Sequence, residues 1–328
     1  MSFTEYLSHG PPVLIVCYNS AQFLPDCLDS LEKQSLPPIE VWVIDNNSSD
    51  NSLSLLNEWR RNKGTFARNL LVLDQNYGFA NANNKVLLDP NIITSPHVVL
   101  LNPDTVTDSM WLESLVYSIQ NHPDAPAHAS RIMMLNDSTT LDGAGDEYHL
   151  SGLARRRGHK KLYRKNQYNT HIFSACAAAC AYRLDIFRQL DGFDDSFFCY
   201  MEDVDLGFRM NLLGLQAIYS EDSVIHHFGG ASSTNNLFAT YHGQRNLEWV
   251  YIKNLPIPLL CLTLPLHVLM LFLMGLKTTV DGNFKIYFQA KIDAFTSLGD
   301  VFRKRSAIQS QRKISLFQLL RKLVFIFH

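Results

Sequence analysis

Hydrophobic and polar positions alternate along the first hundred residues in repeating blocks. Val13 to Cys17 is a short apolar run rich in β-branched residues, which predicts a buried strand. Tyr18-Asn19-Ser20 breaks it, and Leu24, Leu28 and Leu31 then recur at helical spacing between Ala21 and Gln34. After Pro37-Pro38, Val41 to Ile44 predicts a second strand, closed by Asp45-Asn46-Asn47-Ser48-Ser49-Asp50, and a helix is expected over Ser52 to Arg61. Leu70 to Leu73 reads as a third strand. The Asn/Gly-rich stretch Asn76 to Asn84 leads into a short helix, and His97 to Leu101 is a fourth strand stopped by Asn102-Pro103-Asp104. Strand, loop and helix repeated over short connections predict an α/β fold with a mainly parallel central sheet. Ligands on such sheets bind beyond the carboxyl ends of the strands. Here those ends are Tyr18-Asn19, Asp45-Asn46, Asn76 and Asn102-Pro103-Asp104. One polar strand end is ordinary turn chemistry; four together point to a binding edge.

The second half is less regular. A basic cluster (Arg155, Arg156, Arg157, Lys160, Lys161, Arg164, Lys165) fits a solvated loop, or contact with a pyrophosphate or an anionic lipid surface. Glu202 to Leu213 predicts a helix with Leu206, Met210 and Leu213 on one face and Gly214 as its stop. From Leu255 the chain becomes strongly apolar. Pro256 to Leu276 carries no charge and is nominally long enough to span a bilayer, but Pro258, Pro265 and His267 argue against one continuous helix. Val301 to His328 holds seven Lys/Arg and no acid. Helices lying in or dipping into the cytoplasmic face of a membrane are expected, with the basic residues near anionic headgroups. A soluble helical subdomain packed on the catalytic part and a true transmembrane span are the competing readings.

Composition narrows the classes. With 328 residues, 46% hydrophobic and 18% charged, the chain can bury a sizeable core. A net charge of −2 gives no footprint for nucleic acid. The six cysteines contain no C-x-x-C pair, and several lie in apolar runs, so neither a disulfide framework nor a zinc site is expected. The first twelve residues are too polar for a secretory signal. The expected location is therefore cytoplasmic, peripheral at the inner face of the cell membrane.

Six motifs occur in order: VLIVCYNS (Val13–Ser20), VIDNNSSDNS (Val43–Ser52), NYGFANANN (Asn76–Asn84), LLNPDT (Leu100–Thr105), GFDDSFFCYMEDVDLGFRM (Gly192–Met210) and VIHHFGGASS (Val224–Ser233). The ordered set resembles glycosyltransferase family 2, in particular its rhamnosyltransferase-like branch. The resemblance implies a GT-A fold, a nucleoside-diphosphate sugar donor, a divalent metal (Mg2+ or Mn2+) and inversion at the anomeric carbon. It divides the chain into a catalytic domain over 1–250, with a nucleotide-binding half at about 11–105 and an acceptor half at about 106–250. A helical, membrane-associating region over 251–328 follows.

A departing diphosphate is eased by a hard cation on oxygen ligands. Asn102-Pro103-Asp104 resembles the family's D-x-D element with Asn first, which leaves Asp104 as the expected metal contact. A histidine completes such a site in related enzymes; His227 is favoured here over His226. By resemblance Asp45 contacts the nucleotide base. Tyr18 and Asn19 sit at the adjacent strand end, and Asn76, Gly78, Asn83 and Asn102 complete the expected donor pocket. An inverting displacement needs a base for the acceptor hydroxyl. The family's Glu-Asp pair maps onto Glu202 and Asp203, with Asp203 as base; at the first turn of a helix the dipole favours its ionised form. Asp205 and Arg209, four apart, are expected to pair structurally. Gln244-Arg245-Asn246 departs from the Q-x-x-R-W element of the family's polymerising synthases, so addition of one sugar is expected. The donor would be dTDP-rhamnose or a UDP-sugar, and the acceptor a glycan or lipid-linked saccharide of the cell envelope. A catalytically inactive sugar-nucleotide-binding scaffold is the alternative.

Overall fold

A computed structural model describes residues 8–229 and 236–325. The front half follows the expected alternation: β1 (Val13–Cys17), α1 (Leu24–Glu32), β2 (Glu40–Asp45), α2 (Ser52–Arg61), β3 (Ala67–Val72), α3 (Gly78–Leu87) and β4 (His97–Leu101). β1 pairs in parallel with β2 and with β4, and β2 in parallel with β3. Their carboxyl ends therefore share one edge. Side chains alternate across this sheet. Leu14 and Val16 enter a core with α3, while Val13, Ile15 and Cys17 enter the opposite core with α1 and α2. Burial on both faces is why these strands read as unbroken apolar runs.

The irregular second half contributes β5 (Thr105–Thr107), α4 (Trp111–Asn121), β6 (Ala127–Met134), β7 (Asp137–Gly143), β8 (Asp146–Tyr148), β9 (Ala154–Arg156), β10 (His171–Ile172), β11 (Ala179–Arg183), α5 (Leu184–Gln189), α6 (Glu202–Leu212) and β12 (Ala217–His227). The main sheet runs β10-β12-β6-β11-β4-β1-β2-β3, with β5 on β12 and β7 on β6. β11 lies antiparallel between β4 and β6, and places Ala179 opposite Leu101. An antiparallel insert brings its amino end to the edge where β4 delivers its carboxyl end. That reversal carries the second half of the chain into the binding edge.

The C-terminal region consists of α7 (Asn236–Asn254), α8 (Ile257–Val280), α9 (Phe284–Thr296), α10 (Leu298–Ser310) and α11 (Leu316–Leu320). It shares a core with the catalytic part: Phe197, Val204, Phe208 and Leu212 pack with Trp249, Leu255, Val301 and Leu319. Buried charge joins them as well. Asp205 accepts from Arg209 at 2.8 Å, from Asn254 at 2.7 Å and from Lys253 at 2.9 Å. Lys253 also pairs with Asp194, whose second oxygen holds Lys304. Burial alone would raise the Asp194 carboxyl; the two ammonium groups hold it well below the usual carboxylate range.

Contrary to the sequence expectation, α8 is a single helix through Pro258 and Pro265. Pro258 falls in the first turn, where its missing N–H had no intrahelical partner to lose. Pro265 is interior, and its ring lies on the exposed side. The polarity of α8 is inverted. Leu259, Thr263, His267 and Met270 face the protein, while Leu262, Leu266, Leu269, Phe272, Leu273 and Leu276 face outward. His267 stacks on Tyr251 with ring centroids 3.7 Å apart, and its Nε2 lies 2.9 Å from Glu248. Tyr251 Oη in turn lies 2.9 Å from Thr263 Oγ1. The end of the VIHHFGGASS motif and the start of the chain, on which the leader expectation rests, fall outside the described residues.

Candidate active site

The four strand ends converge as expected. Asp45 closes β2 and is fully buried; one carboxylate oxygen accepts from the Ser48 N–H at 3.3 Å, and the other has no partner. A buried acceptor without a donor costs free energy unless a ligand supplies one. Tyr18 stands exposed beside it. Asn19 takes a positive φ of 49°. Its side-chain oxygen accepts from Ser49 N–H at 2.7 Å, which ties the first strand end to the loop after the second. Asn46 Nδ2 donates to Asn76 at 2.9 Å and its oxygen accepts from Tyr77 N–H at 2.9 Å, which locks the third strand end to the second. Gly78 has φ +76°, and a Cβ there would stand 2.4 Å from the Phe198 carbonyl. Only glycine fits that close approach.

Asp104 and His227 meet. The antiparallel pairing of β5 with β12 sets Thr105 opposite His227, and His227 Nε2 lies 3.2 Å from Asp104 Oδ2. The other ring nitrogen is engaged, with Nδ1 2.7 Å from Asp142 Oδ2. Asp142 also accepts from Arg156 and lies 3.1 Å from His159. Burial opposes charge on His227, but the hydrogen bonds to Asp104 and Asp142 outweigh it and raise its pKa to about 9. His226, one residue earlier on the strand, points to the other face, 3.0 Å from Asp108. The structure thus divides the histidine pair.

Asp142 fixes Nδ1 as the protonated nitrogen whenever Nε2 binds a cation, the arrangement common to metal-bound histidines. One imidazole nitrogen and one carboxylate oxygen, both nearly buried, suit Mg2+ or Mn2+ completed by phosphate oxygens and water. Among the described residues no three His, Cys, Asp or Glu side chains form a ready cage.

The Glu202-Asp203 pair opens α6. Asp203 Oδ2 accepts from the Ala177 N–H at 3.0 Å, and Oδ1 from the Val204 N–H at 2.8 Å. Ala178 O accepts from the Asn102 N–H at 2.9 Å, so adjoining residues tie Asp203 and the Asn102–Asp104 turn to one edge. Asp203 keeps a partly exposed edge, whereas Glu202 is buried with one oxygen unpartnered. The helix dipole does not act alone on Asp203. Burial raises its pKa, against the two backbone N–H groups and the charge of Arg156. Glu202 is raised as well, by burial and by the neighbouring charges of Asp203 and Asp205. Asp146, also buried, is raised to about 8 by burial and by the charge of Asp203.

Two expected pocket residues have local bonds of their own. Asn83 donates to Phe79 O within its own helix at 2.9 Å, and the Asn102 backbone carbonyl accepts from Thr105 Oγ1 at 2.7 Å. The neighbouring Asn84 makes the long-range link instead. It donates to Phe193 O at 2.7 Å and to Asp195 at 2.6 Å, joining α3 to the loop before α6. Asp142, Asn84 and Arg156 were not singled out as site residues; Arg156 lay within the basic cluster. That cluster is largely structural where it touches the site. Arg157 is buried between Tyr168 and Tyr219 and donates to Ala144 O at 2.8 Å.

A carboxyl-edge site on the parallel strands of a mixed sheet, with a carboxylate–imidazole pair and a helix-borne carboxylate at the same edge, is an architecture of the GT-A type. The chain belongs to glycosyl transferase family 2, whose model matches residues 13–191. It is 24% identical over 219 residues to the O-antigen chain rhamnosyltransferase RfbN of Salmonella typhimurium, covering 66% of this chain and 65% of that one. It is 25% identical over 236 residues to an N-acetylglucosaminyl-diphospho-decaprenol L-rhamnosyltransferase of Mycobacterium tuberculosis, covering 66% and 75%. A match of 25% identity to the O-antigen biosynthesis protein RfbC of Myxococcus xanthus covers 68% of this chain but 18% of that protein. The fold is similar to that of the mannosyltransferase PcManGT from Pyrobaculum calidifontis, solved with GDP-Man and Mn2+. That likeness has a TM-score of 0.54 at 16% identity and covers 98% of this chain and 90% of that one.

Proposed function

We propose that the protein is an inverting glycosyltransferase. It moves one sugar from a nucleoside-diphosphate donor, dTDP-rhamnose or a UDP-sugar, to a hydroxyl of a lipid-linked cell-envelope glycan precursor. The observation that carries this reading is that Asp104 and His227 meet at the sheet edge that also carries Asp203 and the unpartnered oxygen of Asp45. Asp45 accepts the imide N–H of a uracil or thymine ring, with Tyr18 exposed to cover it. Asp104 and His227 hold Mg2+ or Mn2+, which when bound offsets the charge of the leaving diphosphate. Asp203, fixed through both oxygens, removes the acceptor hydroxyl proton as that oxygen attacks C1. Glu202, whose buried surroundings favour its neutral form, shapes the pocket and leaves the proton to Asp203. The named rhamnosyltransferases among the relatives favour a deoxyhexose donor.

A thermal-shift screen of nucleotide sugars with Mn2+ tests the donor. A true donor at 100 times its Kd stabilises the fold by about 2.7 kcal/mol, and dTDP-rhamnose or a UDP-hexose is expected to stand out. Stabilisation by no nucleoside-diphosphate sugar overturns the reading and the sugar-nucleotide-binding alternative with it; stabilisation by a donor that is never turned over leaves the inactive scaffold.

The inverted polarity of α8 supports a place at the inner membrane face. By length and composition it is the one helix among the described residues able to cross a bilayer. Yet its docked stripe, Leu259 to Gly275, runs for about 24 Å at 1.5 Å per residue, so a crossing in this pose would carry the attached catalytic core into lipid. It lies in the plane instead, its leucines in the acyl boundary. On α9, Phe284, Phe288, Ile292 and Phe295 add exposed apolar surface. Lys277 and Lys285, exposed at the α8–α9 turn, suit anionic headgroups. The full chain is expected to float with phosphatidylglycerol vesicles and less with phosphatidylcholine alone. Leu269→Glu/Phe272→Glu/Leu273→Glu should release it with nucleotide binding intact. A parent chain that stays in the soluble fraction assigns this face to another protein surface.

A further inference from the structure

The approach to α6 is strained in a way the chemistry above does not use. Phe198 (φ 62°, ψ −63°) sits at the centre of a γ-turn of the rare, strained hand, closed by the Cys199 N–H on Phe197 O at 2.7 Å. Tyr200 (φ 70°) and Met201 (φ 72°) are also in the left-handed region. Bulky side chains seldom tolerate such backbone unless their surroundings impose it. Asp203 follows two residues later.

The surroundings that impose it are on α7. Asn246 is fully buried, and its single amide nitrogen donates to three carbonyls of this segment: Phe197 O at 2.9 Å, Cys199 O at 3.0 Å and Tyr200 O at 2.7 Å. Its oxygen accepts from Arg245 Nε at 3.0 Å, which fixes which way the amide faces. Arg245 also donates to Ser196 O and Phe197 O, both at 3.1 Å, with its guanidinium over the Trp249 ring. On the opposite side, Phe198 O accepts from Ala80 N–H at 3.3 Å and abuts Gly78. The segment is thus gripped between the donor-side motif and α7.

We propose that Asn246, braced by Arg245, is a positioning residue: it holds Phe197–Met201 in its strained form and so sets where Asp203 stands relative to the donor. The proposal rests on the reading of Asp203 as base. It gives a role to Gln244-Arg245-Asn246, the stretch that departs from the polymerase element. Asn246 touches no substrate; it acts through the backbone that it holds.

Asn246→Asp tests this, because it keeps the shape and the acceptor for Arg245 while turning an oxygen toward the three carbonyls. Amide hydrogen exchange in residues 196–205 is expected to rise about tenfold or more, with β1 to β4 unchanged. The kcat for transfer of the screened donor's sugar to water should fall by about 10²-fold, the scale of a misplaced catalytic group. The Kd of UDP or dTDP with Mn2+ should stay within about threefold. Adding Met201→Gly, which adopts a left-handed backbone without steric cost, should restore about tenfold of the lost kcat. A generally weakened fold would show no such rescue. A loosened segment with unchanged kcat, unchanged exchange, or a double variant no better than the single one each overturns the proposal. If the Asp variant does not fold, Asn246→Ser is judged by the same measurements. If the donor screen fails, the exchange result still decides whether the clamp exists, and the functional reading falls separately.

Discussion

Asp203→Asn is expected to lower sugar transfer by about 10²- to 10⁴-fold, the usual contribution of a positioned acid–base group, while nucleotide affinity stays within a few-fold. The amide keeps the shape of the side chain and still accepts from Ala177 or Val204 through its one oxygen, so the helix start is retained. What it loses is the ability to take a proton. The pH dependence follows from the direction of the shift. The base acts when ionised, and burial places its ionisation above the ordinary carboxylate range. Transfer is therefore lost, as pH falls, earlier than for an ordinary carboxylate, and this acid limb disappears in the Asn variant. Glu202→Gln supplies the comparison. Burial and the adjacent acids raise the Glu202 pKa and so favour its neutral form, and its neutral amide isostere should cost less than about tenfold. A deadlier Glu202→Gln reverses the two roles. Near-normal transfer by Asp203→Asn reduces Asp203 to a helix-starting residue.

Asp104→Ala is expected to abolish the part of nucleoside-diphosphate affinity that depends on Mn2+, and to lower turnover by about 10³-fold. That corresponds to several kcal/mol of lost charge stabilisation on the leaving group. His227 remains tethered through Asp142, so the loss reads the carboxylate and not a collapsed strand end. Calorimetry of UDP and dTDP with and without Mn2+ separates the two contributions. Binding without metal, carried by Asp45 and Tyr18, should persist. If Mn2+ still strengthens nucleotide binding in the variant as it does in the parent, Asp104 is no ligand. His226→Ala makes the contrasting variant: its ring faces Asp108, and metal-dependent binding should be retained.

The first hundred residues were legible because their rules are local. Val13–Cys17 and His97–Leu101 are buried on both faces, which leaves no alternation to misread, and polar residues follow at each end. Asp45 could be read as a binding group because its neighbours Ser49 and Asp50 can serve the turn. The residues that follow were harder, for reasons of topology. Nothing in Phe173–Tyr182 announces that β11 runs antiparallel, yet that reversal brings Ala177 and Ala178 to the edge that receives Asp203 and Asn102. Asp142 lies near the end of an irregularly paired strand with no flanking pattern, and only the fold brings it to His227. The histidine pair needed strand register to be divided. α8 was misjudged because two prolines are costly in a helix as such; one falls in the first turn, and the other faces outward.

The core shared between α6 and the C-terminal helices separates two operations that look alike on paper. Deleting the apolar end of the chain near Leu255 removes Leu259, Val301 and Leu319 from beneath Phe208 and Leu212, and takes Lys304 from Asp194. The helix bearing Asp203 then loses its floor. Recolouring the outer surface of α8 with charge leaves that floor in place. For anyone preparing this enzyme in quantity, the tail is best treated as a keel: repainted below the waterline, never sawn off.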